Sequence, residues 1–271
     1  MSHPPPLPAL EHLSDIRQDI GARTPAFFLD FDGTLAPIVD HPEAAEMPAE
    51  TREAVAELAR THPVCVISGR TLAFLRERVA LDHVYYAAAH GHRIVGPKNS
   101  KVDFSATQTS DSALEAASRY LETVLGEVEG AVLEVKEVSL AIHYRLVARK
   151  DRSYVRDVVE KTVASYPGFR LMEGKLVYEL MPSDPWGKGK AVLWLLEHLR
   201  ATGSDICPIC LGDDVTDEDM FVAVGMGGVT VIVGDPGTHT QAHYRVRDPE
   251  EAVAFLRQLA APSNQATTHL V

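Results

Sequence analysis

The chain has 271 residues, 45% apolar and 24% charged, the balance of an ordinary water-soluble protein with room for one large domain or two smaller ones. Its formal net charge of −12 argues against a nucleic-acid surface or an anionic membrane as partner, because both need clustered Lys and Arg. No apolar run is long enough to span a bilayer and no targeting core opens the chain, so a cytoplasmic location is expected, with the three cysteines reduced.

Residues 1–12, rich in proline, and residues 262–271, mostly small or polar, are expected to be loose tails. Residues 11–20 read as a helix leading to the apolar run that ends at Asp30, with Asp32 two positions on and Gly33 breaking the strand. Side chains two apart on a strand share a face, so the two carboxylates repel unless a cation or a shared proton intervenes. Two readings compete: the pair merely caps a strand, or one carboxylate acts as nucleophile while the other carries a proton. Ala36 to Pro48 is a Pro-rich, acidic loop, and Glu50 to Arg60 is a helix with Ala54, Val55, Leu58 and Ala59 inward. The strand from Pro63 ends at Ser68, Gly69 and Arg70, a turn whose hydroxyl and amides suit phosphate oxygens. Leu72 to Val79 is a helix, and His83 to Gly91 is a third apolar strand. His90 at its end is either a satisfied turn histidine or a ligand contact, and Gly91 permits the turn. Strand, helix, strand is the unit of a parallel sheet, whose ligands gather beyond the carboxyl ends of the strands.

From about residue 98 to 183 the pattern changes to a helix at 111–125, β-rich runs at 131–136 and 138–145, a helix at 151–165, and a hairpin at 169–181 turning at Gly174. An α+β domain inserted into the first one accounts for this order. Alternation puts Ala141, His143 and Arg145 on one strand face and Lys175, Val177 and Glu179 on another. If these faces coincide, Lys136, His143, Arg145, Lys175 and Glu179 form a polar surface suited to a phosphorylated, polyhydroxylated ligand; otherwise they are solvated strand faces.

The parallel pattern then resumes. Lys188 and Lys190 precede a helix at Ala191 to Leu199, where a lysine could neutralise both phosphate and carboxylate. Ile206 opens an apolar strand that ends in Asp213, Asp214, Asp217, Glu218 and Asp219, five acids in seven residues. Hard oxygen ligands of this kind suit magnesium, and a solvated acidic turn is the alternative. The Cys207/Cys210 spacing lies within this apolar strand, where core packing outweighs metal or redox work. Gly228 to Gly234 is a further buried strand, Tyr244 to Pro249 a short strand or loop, and Glu250 to Leu259 a closing helix.

The run Asp30-Phe-Asp-Gly-Thr-Leu35 resembles the nucleophile motif of the haloacid-dehalogenase-type phosphatases. Ser68, Lys188 and the run Gly212 to Asp217 are similar to that superfamily's other three motifs, in the same order. The extension through Phe221, the Ser-Gly-Arg triplet, and the runs around Lys136 to Arg145 and Lys175 to Ala191 resemble trehalose-6-phosphate phosphatases. Gly187 before Lys188 and Ala89 before His90 depart from that family's usual residues.

The resemblance implies an α/β fold: a Rossmann-like parallel-sheet hydrolase core with an inserted α+β cap domain, divided as 1–97 core, 98–183 cap and 184–271 core. It implies magnesium-dependent hydrolysis of trehalose 6-phosphate through an aspartyl-phosphate, with a small phosphorylated disaccharide as partner. Asp30, Asp32 and Lys188 would be catalytic, and Asp30, Ser68, Gly69 and Lys188 would hold phosphate. The metal would be bound by Asp30, the Asp32 main-chain carbonyl and Asp213, with Asp214 and Asp217 in support. Arg70, His90, Gly91, Lys136, His143, Arg145, Lys175 and Glu179 would meet substrate. The rival readings are the same chemistry on sucrose phosphate or a glycosyl-phosphoglycerate, a phosphosugar mutase, and a sensor without turnover.

Overall fold

A computed structural model describes residues 4–39, 41–106, 111–136, 138–174, 176–183, 186–235 and 239–260. In chain order the first elements are β1 (Leu7–Pro8), α1 (Leu13–Ile20), β2 (Thr24–Asp30), α2 (Ala49–Leu58), β3 (Val64–Ile67), α3 (Leu72–Val79), β4 (Tyr85–Ala88), β5 (Arg93–Val95) and β6 (Asp103–Ser105). Then come α4 (Asp111–Leu125), β7 (Val132–Val135), β8 (Leu140–His143), α5 (Arg152–Ser165), β9 (Phe169–Gly174) and β10 (Val177–Pro182). The last are α6 (Lys188–Arg200), β11 (Ile206–Gly212), α7 (Glu218–Val224), β12 (Val229–Val233), β13 (Tyr244–Val246) and α8 (Pro249–Ala260). The chain divides into two compact units, Met1–Phe104 with Gly187–Val271, and Ser105–Trp186.

In the first unit, among the described residues, nine strands form one sheet in the order β1-β13-β12-β11-β2-β3-β4-β5-β6. Its central pairs are parallel, and β4 and β5 pair antiparallel. Parallel strands covered on both faces need continuous apolar runs, which is why β2, β3, β11 and β12 are buried along almost their whole length. Phe27, Leu29 and Phe31 pack with Ile16, Val55, Leu58 and Phe255 from the helices on one face. Burying each such large side chain contributes roughly 1.5–3 kcal/mol. Cys207 and Cys210 are buried, unpaired members of β11, so their spacing reflects a core strand. The chain order turns back between β2 and β11, with β3 and β4 on one side and β12 and β13 on the other. A crevice opens beyond the carboxyl ends of strands at such a switch point.

The second unit is a four-stranded antiparallel sheet in the order β7-β8-β10-β9. Ala117, Leu121 and Leu125 of α4, at helical spacing, pack with Val155 and Val159 of α5 against Leu140, Ile142, Tyr178 and Leu180. Period-2 alternation leaves the opposite face to Glu134, Ala141, His143 and Glu179. β8 ends at His143, so Arg145 falls in a turn. Arg145 lies two residues beyond the strand end, so the alternation that groups it with His143 does not reach it. Among the described residues no helix is long and apolar enough to cross a membrane.

Candidate active site

The parallel register pairs Leu211 of β11 with Leu29 of β2, and Asp30 of β2 with Ile67 of β3. Asp30, Ser68 and Asp213 therefore leave neighbouring strand ends together. Lys188 is the first residue of α6, three positions earlier than the sequence pattern of that helix suggested. A cation at a helix N-terminus opposes the helix dipole. Two carboxylates offset that cost: the Lys188 ammonium donates to Asp30 Oδ1 and to Asp217 Oδ1, each at 2.7 Å. All three side chains are at least nine-tenths buried.

Asp217 is held from its other side. Its Oδ2 accepts the backbone N–H groups of Asp213 and Asp214, both at 3.1 Å, which closes the acidic loop after β11. A Cβ at Gly212 would lie 2.2 Å from the Asp217 carboxyl carbon, so the close approach requires glycine. Asp214 turns elsewhere: its exposed carboxylate accepts from the Val215 N–H at 2.5 Å and caps its own loop.

Asp30, Asp213 and Asp217 each offer an oxygen within 4.8 Å of the others, a set that could hold a metal ion. Burial pushes the Asp30 carboxyl well above the ordinary carboxylate range; the Lys188 ammonium opposes the rise, and Asp217 and Asp213 add to it. Burial, then the charges of Asp217 and Asp214, raise Asp213 to about 6. Burial alone would depress Lys188, but Asp30 and Asp217 outweigh it and hold the ammonium above its usual value. Carboxylates crowded until their ionisation is unfavourable fit a divalent cation, which would relieve both desolvation and repulsion. The backbone is shaped for the same cluster: Gly33 has φ +82°, and a Cβ there would lie 2.0 Å from Asp213 Oδ2.

Ser68 is buried at the end of β3, and its Oγ accepts the Arg70 N–H at 3.2 Å. The Arg70 side chain, expected to meet substrate, grips Asp32 through Nε–Oδ2 at 2.8 Å and Nη2–Oδ1 at 2.7 Å. His90 donates its N–H to the Ser68 carbonyl at 2.8 Å, and its ring packs so close to Gly69 that a Cβ there would lie 2.6 Å from Nε2. His90 and Gly91 both have positive φ, at 55° and 87°, in the turn after β4. Asp30, Asp32, Ser68, Gly69, Arg70, His90, Lys188, Asp213, Asp214 and Asp217 line one cavity of about 360 Å³, with Thr216, Ile38 and Val39 at its walls.

In the second unit Lys136 Nζ and Ser139 Oγ donate to the same Glu179 oxygen at 3.0 and 2.8 Å. His143 Nε2 pairs with Glu134 at 2.9 Å. Lys175 lies outside the described residues, and Arg145 is in the turn after β8.

A profile of the trehalose-phosphatase family matches residues 28–250. The chain belongs to that family. It is 37% identical, over 95% of its length and 68% of the relative's, to a trehalose-phosphate phosphatase of Mycobacterium bovis. It is also 39% identical over 96% of its length to an uncharacterized glycosyl hydrolase of Mycobacterium tuberculosis, but spans only 20% of that protein. Among solved structures, the trehalose-6-phosphate phosphatase of Aspergillus fumigatus superposes with a TM-score of 0.69 at 26% identity, covering 95% of this chain and 99% of the other.

The profile match takes in Asp30, Ser68, Lys188 and the acidic loop, so the trehalose-phosphatase region carries the whole cavity. Sequence reasoning missed two contributors to it. Gly33 makes room for Asp213, for which its place beside two aspartates was the available signal. The fork of Arg70 on Asp32 joins residues 38 positions apart and has no local signature.

Proposed function

We propose that this chain is a phosphomonoester hydrolase that converts trehalose 6-phosphate to trehalose and phosphate, in trehalose biosynthesis. The observation that carries the proposal is the Asp30–Lys188–Asp217 bridge set beside Asp213 and Ser68 in one cavity. Family membership and the likeness to the Mycobacterium bovis trehalose-phosphate phosphatase support this choice of sugar.

The Ser68 hydroxyl, the amides of the turn at Gly69 and the Lys188 ammonium hold the phosphoryl oxygens. An Asp30 oxygen attacks phosphorus; the bond to the sugar oxygen breaks, and Asp32 gives that oxygen a proton. In the second half-reaction Asp32 takes a proton from water, whose oxygen attacks phosphorus and breaks the bond to Asp30. Lys188 serves both halves by spreading charge while Asp217 keeps it aimed. Asp30, Asp213 and the Asp32 carbonyl would hold magnesium, with Asp217 in support, and the cation would supply charge neutralisation at the phosphoryl group. Asp214 shapes the loop instead of joining this set.

Division into a core of 1–97 with 184–271 and a cap of 98–183 belongs to the same proposal. In the cap, Glu179, fixed by Lys136 and Ser139, and His143, on the same sheet face, are the proposed sugar contacts. Arg145, in the turn after β8, and Lys175 are proposed substrate contacts as well. A half-buried carboxylate held by a lysine accepts sugar hydroxyls without reorganising.

The test is phosphate release from trehalose 6-phosphate, glucose 6-phosphate, sucrose 6-phosphate and glucosyl-phosphoglycerate, with magnesium and with EDTA. Preference for trehalose 6-phosphate that disappears with EDTA is expected. Preference for another ester would reject the sugar, and no release from any would reject the hydrolase.

A further inference from the structure

We infer that Arg70 is a positioning residue for Asp32: its guanidinium fork fixes the carboxyl plane of the proton carrier, and it is not primarily a substrate contact. The inference rests on the phosphatase reading above and extends it to a residue that acts through Asp32.

Asp32 stands just past the end of β2, in the turn that carries Gly33, and its side chain is 34% exposed. A carboxylate there has rotamers to spare, and rotamer freedom costs a group that must meet one leaving oxygen. Arg70 removes the freedom with two parallel bonds, at 2.8 and 2.7 Å, one to each carboxyl oxygen. Planar, two-point contact fixes orientation as well as position, which a lysine's point charge cannot do.

The fork is itself anchored. The Arg70 guanidinium lies over the Phe74 ring at 4.7 Å, and Phe74 meets Phe31 edge-on at 5.9 Å. Phe31 is fully buried and sits between Asp30 and Asp32 in the chain. The Arg70 N–H also donates to Ser68 Oγ. One closed path of contacts thus runs from the nucleophile's neighbour through Phe74 and Arg70 back to the proton carrier. Within it, Arg70 spends Nε and one terminal nitrogen on Asp32, the edge a phosphate would otherwise take.

The reacting ester can separate the two roles. A sugar alkoxide leaves only if protonated, whereas p-nitrophenolate leaves without a proton. Steady-state kcat/KM reports the steps up to the first phosphoryl transfer. Arg70→Ala and Arg70→Lys are therefore compared with wild type on trehalose 6-phosphate and p-nitrophenyl phosphate. The expected result is a loss of about tenfold or more in kcat/KM on the sugar ester for both variants, against a change within about threefold on the aryl ester. Equal losses on the two esters, or full rescue by Arg70→Lys, would overturn the inference in favour of phosphate binding or a bulk structural role. A wild type that cleaves the aryl ester but no sugar phosphate would contradict the proposed function instead. A readout independent of turnover then decides Arg70: in a crystal structure of Arg70→Lys the Asp32 side chain is expected to leave its single orientation, and an unmoved Asp32 would refute the inference.

Discussion

Replacing Lys188 with methionine probes the centre of the site. The substitution keeps the length of the side chain and removes the ammonium that joins Asp30 and Asp217, both at 2.7 Å. These carboxylates are 6% and 0% exposed, so water compensates poorly for the lost partner. Breaking a buried pair by removing one member costs about 3–5 kcal/mol, because it strands charge in a poorly solvated place. That is a large share of the about 5–15 kcal/mol by which a domain is stable. The cost should depend on pH. Burial already raises Asp30, and Lys188 is the main influence opposing it, so the variant's folded state takes up a proton more readily than its unfolded state. Stability tied to such a raised group is present at low pH and lost as pH rises, so the deficit should shrink between pH 7.5 and 5.5. Urea unfolding followed by tryptophan fluorescence, to which Trp194, stacked on Phe104 at 4.3 Å, contributes, measures it. Adding Asp30→Asn to the variant should recover about 1 kcal/mol or more, since it deletes one stranded charge. A deficit under about 1 kcal/mol at pH 7.5, or no recovery in the double variant, would refute the reasoning.

Gly33→Ala places a methyl group where Asp213 now sits and forces a φ of +82° on alanine, so activity should fall by on the order of 100-fold while magnesium binding by calorimetry weakens. Unchanged magnesium affinity would show that Asp213 is not held by that cradle. Because Asp213 lies at about 6, a proton competes with a cation below that value; the thermal shift induced by magnesium should grow as pH rises from 5 to 7 and be nearly flat above. Glu179→Gln removes the charge that orders Lys136 and Ser139, and should raise KM for trehalose 6-phosphate about tenfold while leaving p-nitrophenyl phosphate nearly unaffected. An equal effect on both esters would take Glu179 out of sugar recognition.

The parallel sheet was legible because β2, β3, β11 and β12 are buried on both faces and so carry unbroken apolar runs. Helix α6 begins three residues before its apolar pattern does. Its first turn, Lys188-Gly-Lys190, has no apolar residue to mark it, and it is fixed by the two carboxylates on Lys188. The cap hairpins are readable by period-2 alternation, yet Arg145 lies past the end of β8, since alternation alone cannot say where pairing stops. In the site, strand-end acids stood out because charge after an apolar run is costly. What Asp214 and Asp217 do was not legible: both are aspartates in one acidic loop. Only the folded backbone turns Asp217 inward onto two amides and Lys188, and Asp214 outward onto Val215. The Arg70–Asp32 fork was hidden for the same reason, as a contact between turns that follow different strands.

The central claim is that Asp30 forms a covalent phosphoryl intermediate. Its most direct test is rapid acid quench during turnover of trehalose 6-phosphate, followed by peptide mass spectrometry. The account predicts one added phosphoryl group on the peptide holding Asp30, lost on base treatment and absent from Asp30→Asn. Steady turnover with the phosphoryl group on another residue, or undiminished turnover by Asp30→Asn, would contradict it.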